Sequence, residues 1–401
     1  MWWPAPARLA VSFLSYGCRV SAICPPGHPL RYVSGIEALH SYSRIRSGAS
    51  LRAAILATRP DLIVPCDDGV VGQLHEIHAA LPELRPLIER SLGAGEFYPR
   101  VTRRGDLMQT AVRLNIRAPL TQVVRSEDDL KAWGVDAPAV LKIDGTWGGE
   151  GVAIVRSQIE AIAGFRRARS SMSPGVVIKR FLINRAPLAL WSWGMRKAAD
   201  VTVQQYIGGR AATAMFACWQ GEVVGILAAE VLASQGETGA AVVVRLIQYP
   251  EIERAARLIA REYSLSGFHG LDFILEQDTD LPYLIELNPR ATQLGHLRVP
   301  GQGDLVGALL SKLTNTPADP AQLPHCEHGS TIALFPRALS WNPKSAYLSR
   351  GYHDVPWEEP ELVRELMRPT WPNRQLASRI YHHFRETKTK DQSDPVFSPI
   401  K

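Results

Sequence analysis

Apolar positions along the chain fall into helical and strand-like runs that alternate at its start. Leu9, Val11, Phe13 and Leu14 predict a helix over 5–17, followed by a strand, Arg19–Cys24, that stops at Pro25-Pro26. A second unit reads as helix Leu51–Ala57, strand Asp61–Cys66 and helix Val70–Leu81. Short, almost wholly apolar strands between helices predict a parallel sheet covered on both faces. Cys66-Asp67-Asp68-Gly69 then falls at the carboxyl end of its strand, where open α/β sheets bind ligands. Asp67 and Asp68 can act there toward a substrate or can cap the next helix, and capping is the simpler reading.

Further along, the pattern predicts a helix Asp106–Leu114, a pair of strands within Ala139–Val155, a helix Ile159–Ser170 and strands Val176–Phe181, Val201–Ile207 and Ala211–Gln220. A helix Glu251–Tyr263 leads into two apolar runs, Leu271–Leu275 and Tyr283–Leu287, on either side of the turn-prone Glu276–Pro282. That is a β-hairpin pattern. Alternation along a strand puts Glu286 and Asn288 on one face. Symmetry about Thr279 sets Asp272 opposite Glu286 and Ile274 opposite Leu284. Opposed like charges destabilise a sheet unless something joins them. Asp272, Glu286 and the amide oxygen of Asn288 are hard donors suited to Mg²⁺, and Arg290 follows with a fork suited to phosphate. Solvated acids are the alternative for such a hairpin, but these strands are too apolar to lie open to water.

Ala139–Val155 holds glycines at 145, 148, 149 and 151 between two strands, with Lys142 on the incoming one. Glycines let backbone N–H groups approach phosphate oxygens. No Gly-Lys-Ser/Thr follows, and a strand comes next, so this is not a P-loop. By itself the loop is weak evidence, because glycines also simply make turns.

The two stretches together resemble the ATP-grasp superfamily, which includes biotin carboxylase, carbamoyl phosphate synthetase and D-alanine–D-alanine ligase. The likeness rests on Asp272, then Glu286-Leu287-Asn288-Pro289-Arg290, and on Lys142 with its glycine loop. It implies an α/β chain, α+β in the lid and C-terminal parts. A Rossmann-like domain over 1–98 would precede an ATP-grasp domain over 99–300, with a lid at about 138–207. Residues 301–401 would complete the fold, with a polar, disordered tail over about 387–401. The chain begins directly at a helix, so the resemblance also implies a lost or truncated opening strand and no dinucleotide-like binding there. It implies ATP with Mg²⁺, or Mn²⁺ as the alternative ion, held by Asp272, Glu286 and Asn288. Lys142, Gly148, Gly149, Gly151 and Arg104 (or Arg103) would contact phosphates. Gln204, Gln205 and Ile207 would lie along the adenine edge, and Arg290 and Lys142 would be catalytic. Ala211 and Ala212 stand where many members hold the ribose with an acid. The implied activity is ADP-forming ligation of a carboxylic acid to an amine through an acyl phosphate. Rivals are a carboxylase or carbamoyl-phosphate-forming enzyme of the same fold, and a protein that holds nucleotide without turnover.

Two further segments stay open. Trp191 and Trp193 can line a site or fill a core, and Gln235–Gly239 can contact substrate or simply turn. After Arg298 only a strand, Ile332–Phe335, and a helix, Glu361–Met367, are legible.

Composition narrows the context. Apolar residues make up 46% and charged residues 21%, as in ordinary globular proteins. The net charge of +6 and pI near 9.1 invite a nucleic-acid partner, but the basic residues are scattered singly or in short pairs. Small-molecule carboxylate and amine partners are expected instead, with neither nucleic acid nor membrane, and a homodimer is compatible. Five cysteines, widely spaced and without a CxxC, point to reduced thiols in the cytoplasm. The N-terminus lacks the basic start of a signal peptide.

Overall fold

In the computed structural model of the chain, the described residues are 3–135, 138–144, 151–169, 200–236, 239–299, 303–317 and 329–374. The expected strand at 176–181, Trp191, Trp193, Gly148, Gly149 and the tail from 387 lie outside them.

The first part holds α1 (Ala5–Ser15), β1 (Ser21–Cys24), β2 (Ala38–Ser41), α2 (Ser47–Thr58), α3 (Asp68–Ala80) and α4 (Arg85–Leu92). Its sheet is smaller than expected, since β1 and β2 form a parallel pair that no other strand joins among the described residues. Residues 61–66 lie in no helix and no ladder among the described residues. Their polar groups go elsewhere. Ile63 N–H donates to Ser91 Oγ, and Pro65, which has no N–H, accepts from Ala291. The alternation still serves packing, because Leu62 and Val64 join one core and Ile63 another.

Next come α5 (Tyr98–Val101), α6 (Arg104–Arg113), β3 (Thr121–Val124), α7 (Glu127–Trp133), β4 (Ala139–Ile143), β5 (Val152–Val155), α8 (Gln158–Arg169) and β6 (Val201–Gln205). The four strands form one sheet in the order β3-β6-β4-β5. The main sheet follows, built from β7 (Gly209–Trp219), β8 (Glu222–Ser234), β9 (Ala241–Ile247), β10 (Gly267–Glu276) and β11 (Pro282–Asn288), with α9 (Pro250–Glu262) crossing between β9 and β10. After β12 (Arg298–Val299), β13 (Gly303–Asp304) and α10 (Leu305–Thr314), strand β14 (Thr331–Ala333) joins that sheet. Helices α11 (Arg337–Trp341) and α12 (Ala346–Arg350) then lead to β15 (Tyr352–His353) and α13 (Pro360–Leu366). The sheet's order is β11-β10-β7-β8-β9-β14-β15.

Both faces of the main sheet are covered, which explains the unbroken apolar runs of its strands. On β7, Ala212, Ala214, Phe216 and Cys218 pack on the side of α9, while Met215 and Ala217 pack on the opposite side with Leu9 of α1 and Leu305 and Leu309 of α10. Helix α9 opens with Pro250, carries Glu251 and Glu253 in its first turn and buries Ile252, Ala255, Ala256, Ile259 and Ala260 along one stripe. No described helix is long and apolar enough to cross a membrane.

Candidate active site

The hairpin β10–β11 brings the acids together as the alternation requires. Asp272 pairs with Glu286, and Gly270 with Asn288. Beyond Asp272 the register shifts by one, so Leu284 faces Phe273 and Ile274 faces Tyr283, not Leu284. The extra residue is Ile285, and its bulge changes the local twist. Its carbonyl accepts from Lys142 Nζ at 3.4 Å, so the irregularity supplies a contact between the two sheets.

On β10, Asp272 accepts from Thr213 Oγ1 at 2.8 Å and from Asn288 Nδ2 at 2.9 Å. Burial, reinforced by the neighbouring Glu286 charge, raises the Asp272 pKa. Burial alone would raise Glu286 too, but Arg104 and Lys142 reverse this and hold it below the usual range. The Glu286 side chain stays 35% exposed, so it reaches solvent and is not part of the core.

Three cations surround this pair. Arg104, at the first turn of α6, donates to Glu286 at 2.7 Å and to Asp144 at 2.8 Å, and its buried Nε has no partner. Arg103 is exposed, so Arg104 is the arginine that reaches Glu286. Lys142 stands on β4 and is buried. Desolvation, helped by the Arg104 charge, pulls its pKa down to about 8. Arg290 donates to Asn288 Oδ1 at 3.2 Å and to Asp68 at 2.8 Å. The two acids at the start of α3 therefore divide their roles. Asp67 caps the helix through Gly69 N–H, and Asp68 pairs with Arg290.

Asp144, Thr213 and Asp68 were not singled out as parts of this cluster by spacing alone. Asp144 had a signal, since it lies two residues after Lys142 and therefore on the same side of the strand. Thr213 sits in an apolar run and carried none.

The remaining expected contacts are dispersed. Gly151 has positive φ, and its carbonyl accepts from Ile143 N–H at 3.0 Å, closing β4 onto β5. Gln204 is buried and donates to Thr121 Oγ1 at 3.0 Å, and Gln205 N–H donates to Leu120 at 2.8 Å. Both are thus engaged within the smaller sheet. Half-buried Ile207 lies past the end of β6, where the chain crosses to β7 and the main sheet.

Two carboxylates opposed across a strand pair, with one lysine and two arginines around them, form a site for an anion with a cation. Residues 190–293 match the family description of an ATP-grasp domain. The chain carries an ATP-grasp domain. The fold agrees with ATP-grasp structures over most of its length. Carboxyaminoimidazole ribonucleotide synthase from Aspergillus clavatus, complexed with ATP, is 15% identical and aligns over 82% of this chain and 78% of its own, with a TM-score of 0.55. The biotin carboxylase domain of Hydrogenobacter thermophilus 2-oxoglutarate carboxylase, in complex with MgADP, ADP and bicarbonate, is 14% identical over 82% and 71%, with a TM-score of 0.56. L-amino acid ligase from Bacillus licheniformis is 15% identical over 79% and 74%, with a TM-score of 0.52. At such identities the likeness establishes the ATP-grasp fold and not the reaction. No curated protein matches the chain in sequence.

Proposed function

We propose that the chain is an ATP-dependent ligase that joins a carboxylic acid to an amine, forming ADP and phosphate. The observation that carries this reading is the opposed pair Asp272 and Glu286, with Asn288 beside them and Arg104, Lys142 and Arg290 around them. The donor types fit Mg²⁺, two carboxylates and an amide being hard ligands, and the raised Asp272 pKa is what a bound cation would relieve. Asn288, however, turns its Nδ2 to Asp272 and its Oδ1 to Arg290, so its amide would have to turn over to join the carboxylates as a ligand. When bound, the ion neutralises charge on the nucleotide phosphates and polarises them.

The chain's own residues then position and neutralise. Lys142 and Arg104 contact phosphate oxygens, with Arg104 leaving Glu286 as the nucleotide arrives. Arg290, oriented by Asp68 and Asn288, faces the substrate carboxylate or the transferring group. A carboxylate oxygen of the acid attacks the γ-phosphorus, the bond to the bridging oxygen breaks, and ADP leaves. The amine attacks the acyl carbon, and its nitrogen loses a proton. Phosphate departs carrying the attacking oxygen. Phosphoryl transfer of this kind demands placement and charge stabilisation, so no covalent nucleophile is needed on the protein.

A second reading is favoured by the names of two neighbours: bicarbonate in place of the organic acid would make the protein a carboxylase. ADP release that depends on bicarbonate and on no other acid separates the two. For either reading, Glu286→Gln removes one negative charge from the centre without changing its shape. We expect ADP release to fall by about 100-fold or more while the circular dichroism spectrum is unchanged. Undiminished release at saturating Mg²⁺ would remove Glu286 from the site.

A further inference from the structure

A second concentration of buried charge lies just beyond the hairpin. Asp354, which follows β15, accepts from Phe335 N–H at 2.5 Å and lies 2.8 Å from His296 Nε2. Arg8 of α1 donates to the Asp354 carbonyl and stands 3.9 Å from its carboxylate. Arg337, at the start of α11, belongs to the same group. Its Nη1 donates to Gln293 Oε1 at 2.8 Å, and its guanidinium lies 4.0 Å from the centre of the Trp3 ring. The His296 side chain is 7% exposed, and its Nδ1 has no partner.

The charges in this cluster do not cancel. Arg8 and Arg337 are both cationic, and burial together with Arg8 lowers the His296 pKa and favours its neutral form. Asp354 is held below the usual carboxylate range, its burial overcome by His296 and Arg8, so it is anionic. Glu358 also acts on His296 but is exposed to solvent. One positive charge remains in excess. Among the described residues no carboxylate lies within ion-pairing distance of Arg337, and burial draws its pKa down to about 10 despite the more distant Asp354. A guanidinium withdrawn from water is ordinarily paired with an anion.

Among the described residues the cluster is therefore short of a single negative charge. The planar fork of arginine matches a carboxylate in two parallel hydrogen bonds, and one excess charge suits a monoanion better than a phosphate dianion. Gln293 fixes one end of the guanidinium and the Trp3 ring covers a face, while the half-buried side chain keeps contact with solvent. Gln293 is three residues past Arg290, so this cluster and the phosphate-facing arginine share one loop. We propose that Arg337, positioned by Gln293 and Trp3, binds a substrate carboxylate that does not react. As a statement about a substrate, this rests on the ligase reading above. The carboxylate belongs either to a dicarboxylic acid activated through its other end or to an amino acid that supplies the amine.

The test is calorimetric titration of the full chain, with and without a non-hydrolysable ATP analogue and Mg²⁺. The probes form two pairs: glutarate against butyrate, and L-alanine against L-alaninamide. In the wild type, one pair should differ by about tenfold or more in favour of the extra carboxylate, and which pair does so identifies its source. Arg337→Gln should abolish that difference and leave the affinity for the ATP analogue unchanged. Arg337→Lys, which keeps charge but loses the fork, should reduce it, and this variant decides the matter should Arg337→Gln fail to bind the analogue. No difference in the wild type, or a difference that survives both substitutions, overturns the proposal. Binding that depends on Arg337, in a protein whose ADP release no acid–amine pair accelerates, would keep the carboxylate site and reject the ligase.

Discussion

Lys142 carries its charge where that charge is least stable. Buried on β4 beside Arg104, its pKa drops to about 8 from an ordinary 10.5. Below about 8 the lysine is protonated in both folded and unfolded chains, and its buried charge weakens the fold fully. Between about 8 and 10.5 the unfolded chain binds more protons, so this residue's contribution to stability rises with pH across that window. Nucleotide phosphates act in the opposite sense to Arg104 and favour the ammonium form. ATP binding should therefore take up a proton near pH 8, and affinity should fall as pH rises beyond it. Asp144, Asp272 and Glu286 also surround the ammonium, so Lys142→Met is the control that isolates its share. We expect the pH dependence of ATP-analogue affinity to flatten in that variant. A wild-type affinity that does not change through this range would contradict the assignment of Lys142 to phosphate.

The hairpin shows what alternation in a sequence conveys and where it stops. A turn centred on Thr279 set Asp272 against Glu286, and parity put Asn288 on the same face as Glu286. The bulge at Ile285 was not legible, because Leu284 and Ile285 are both apolar and nothing marks which of them is extra. Residues 61–66 illustrate a related limit. Their apolar run told correctly that both faces are buried, but a ladder also requires a neighbouring strand. Strand β2, short and half-exposed, has no such run and was missed altogether. Close packing sustains the hairpin at Gly270, which pairs with Asn288. A Cβ there would lie 2.6 Å from Thr292 Cγ2 and 3.4 Å from Asn288 Cβ. Gly270→Ala must displace the Thr292 methyl, and the repacking of Thr292 is expected to disturb Asn288, whose Cβ the new methyl would touch. We predict a loss of ADP release of about tenfold or more, since small misplacements of reacting groups are expensive. The melting temperature should fall by only about 2–4 °C, the shift that corresponds to roughly 1 kcal/mol. Full activity in this variant would mean that Asn288 need not be held in place.

Across the whole molecule the site is assembled from segments far apart in the chain. Arg290 meets Asp68 across 222 positions, and Arg104 meets Glu286 across 182. Residue types and local spacing pointed to the acids and Arg290, and the family resemblance to Lys142 and Arg104, but neither pointed to these partners. Pairing between distant segments is a property of the packed fold. The Arg337 cluster was illegible for the same reason, since Arg8, Gln293, His296 and Asp354 come from three separate parts of the sequence. The claim that unites these observations is that the site transfers the γ-phosphoryl group of ATP to a carboxylate. Product analysis by phosphorus NMR tests it most directly. The full chain is supplied with Mg-ATP and carboxylate–amine pairs, and the carboxylate carries an ¹⁸O label. The account predicts ADP and inorganic phosphate, accelerated by one such pair, with the label in the phosphate. AMP and pyrophosphate, with the label in AMP, would contradict it.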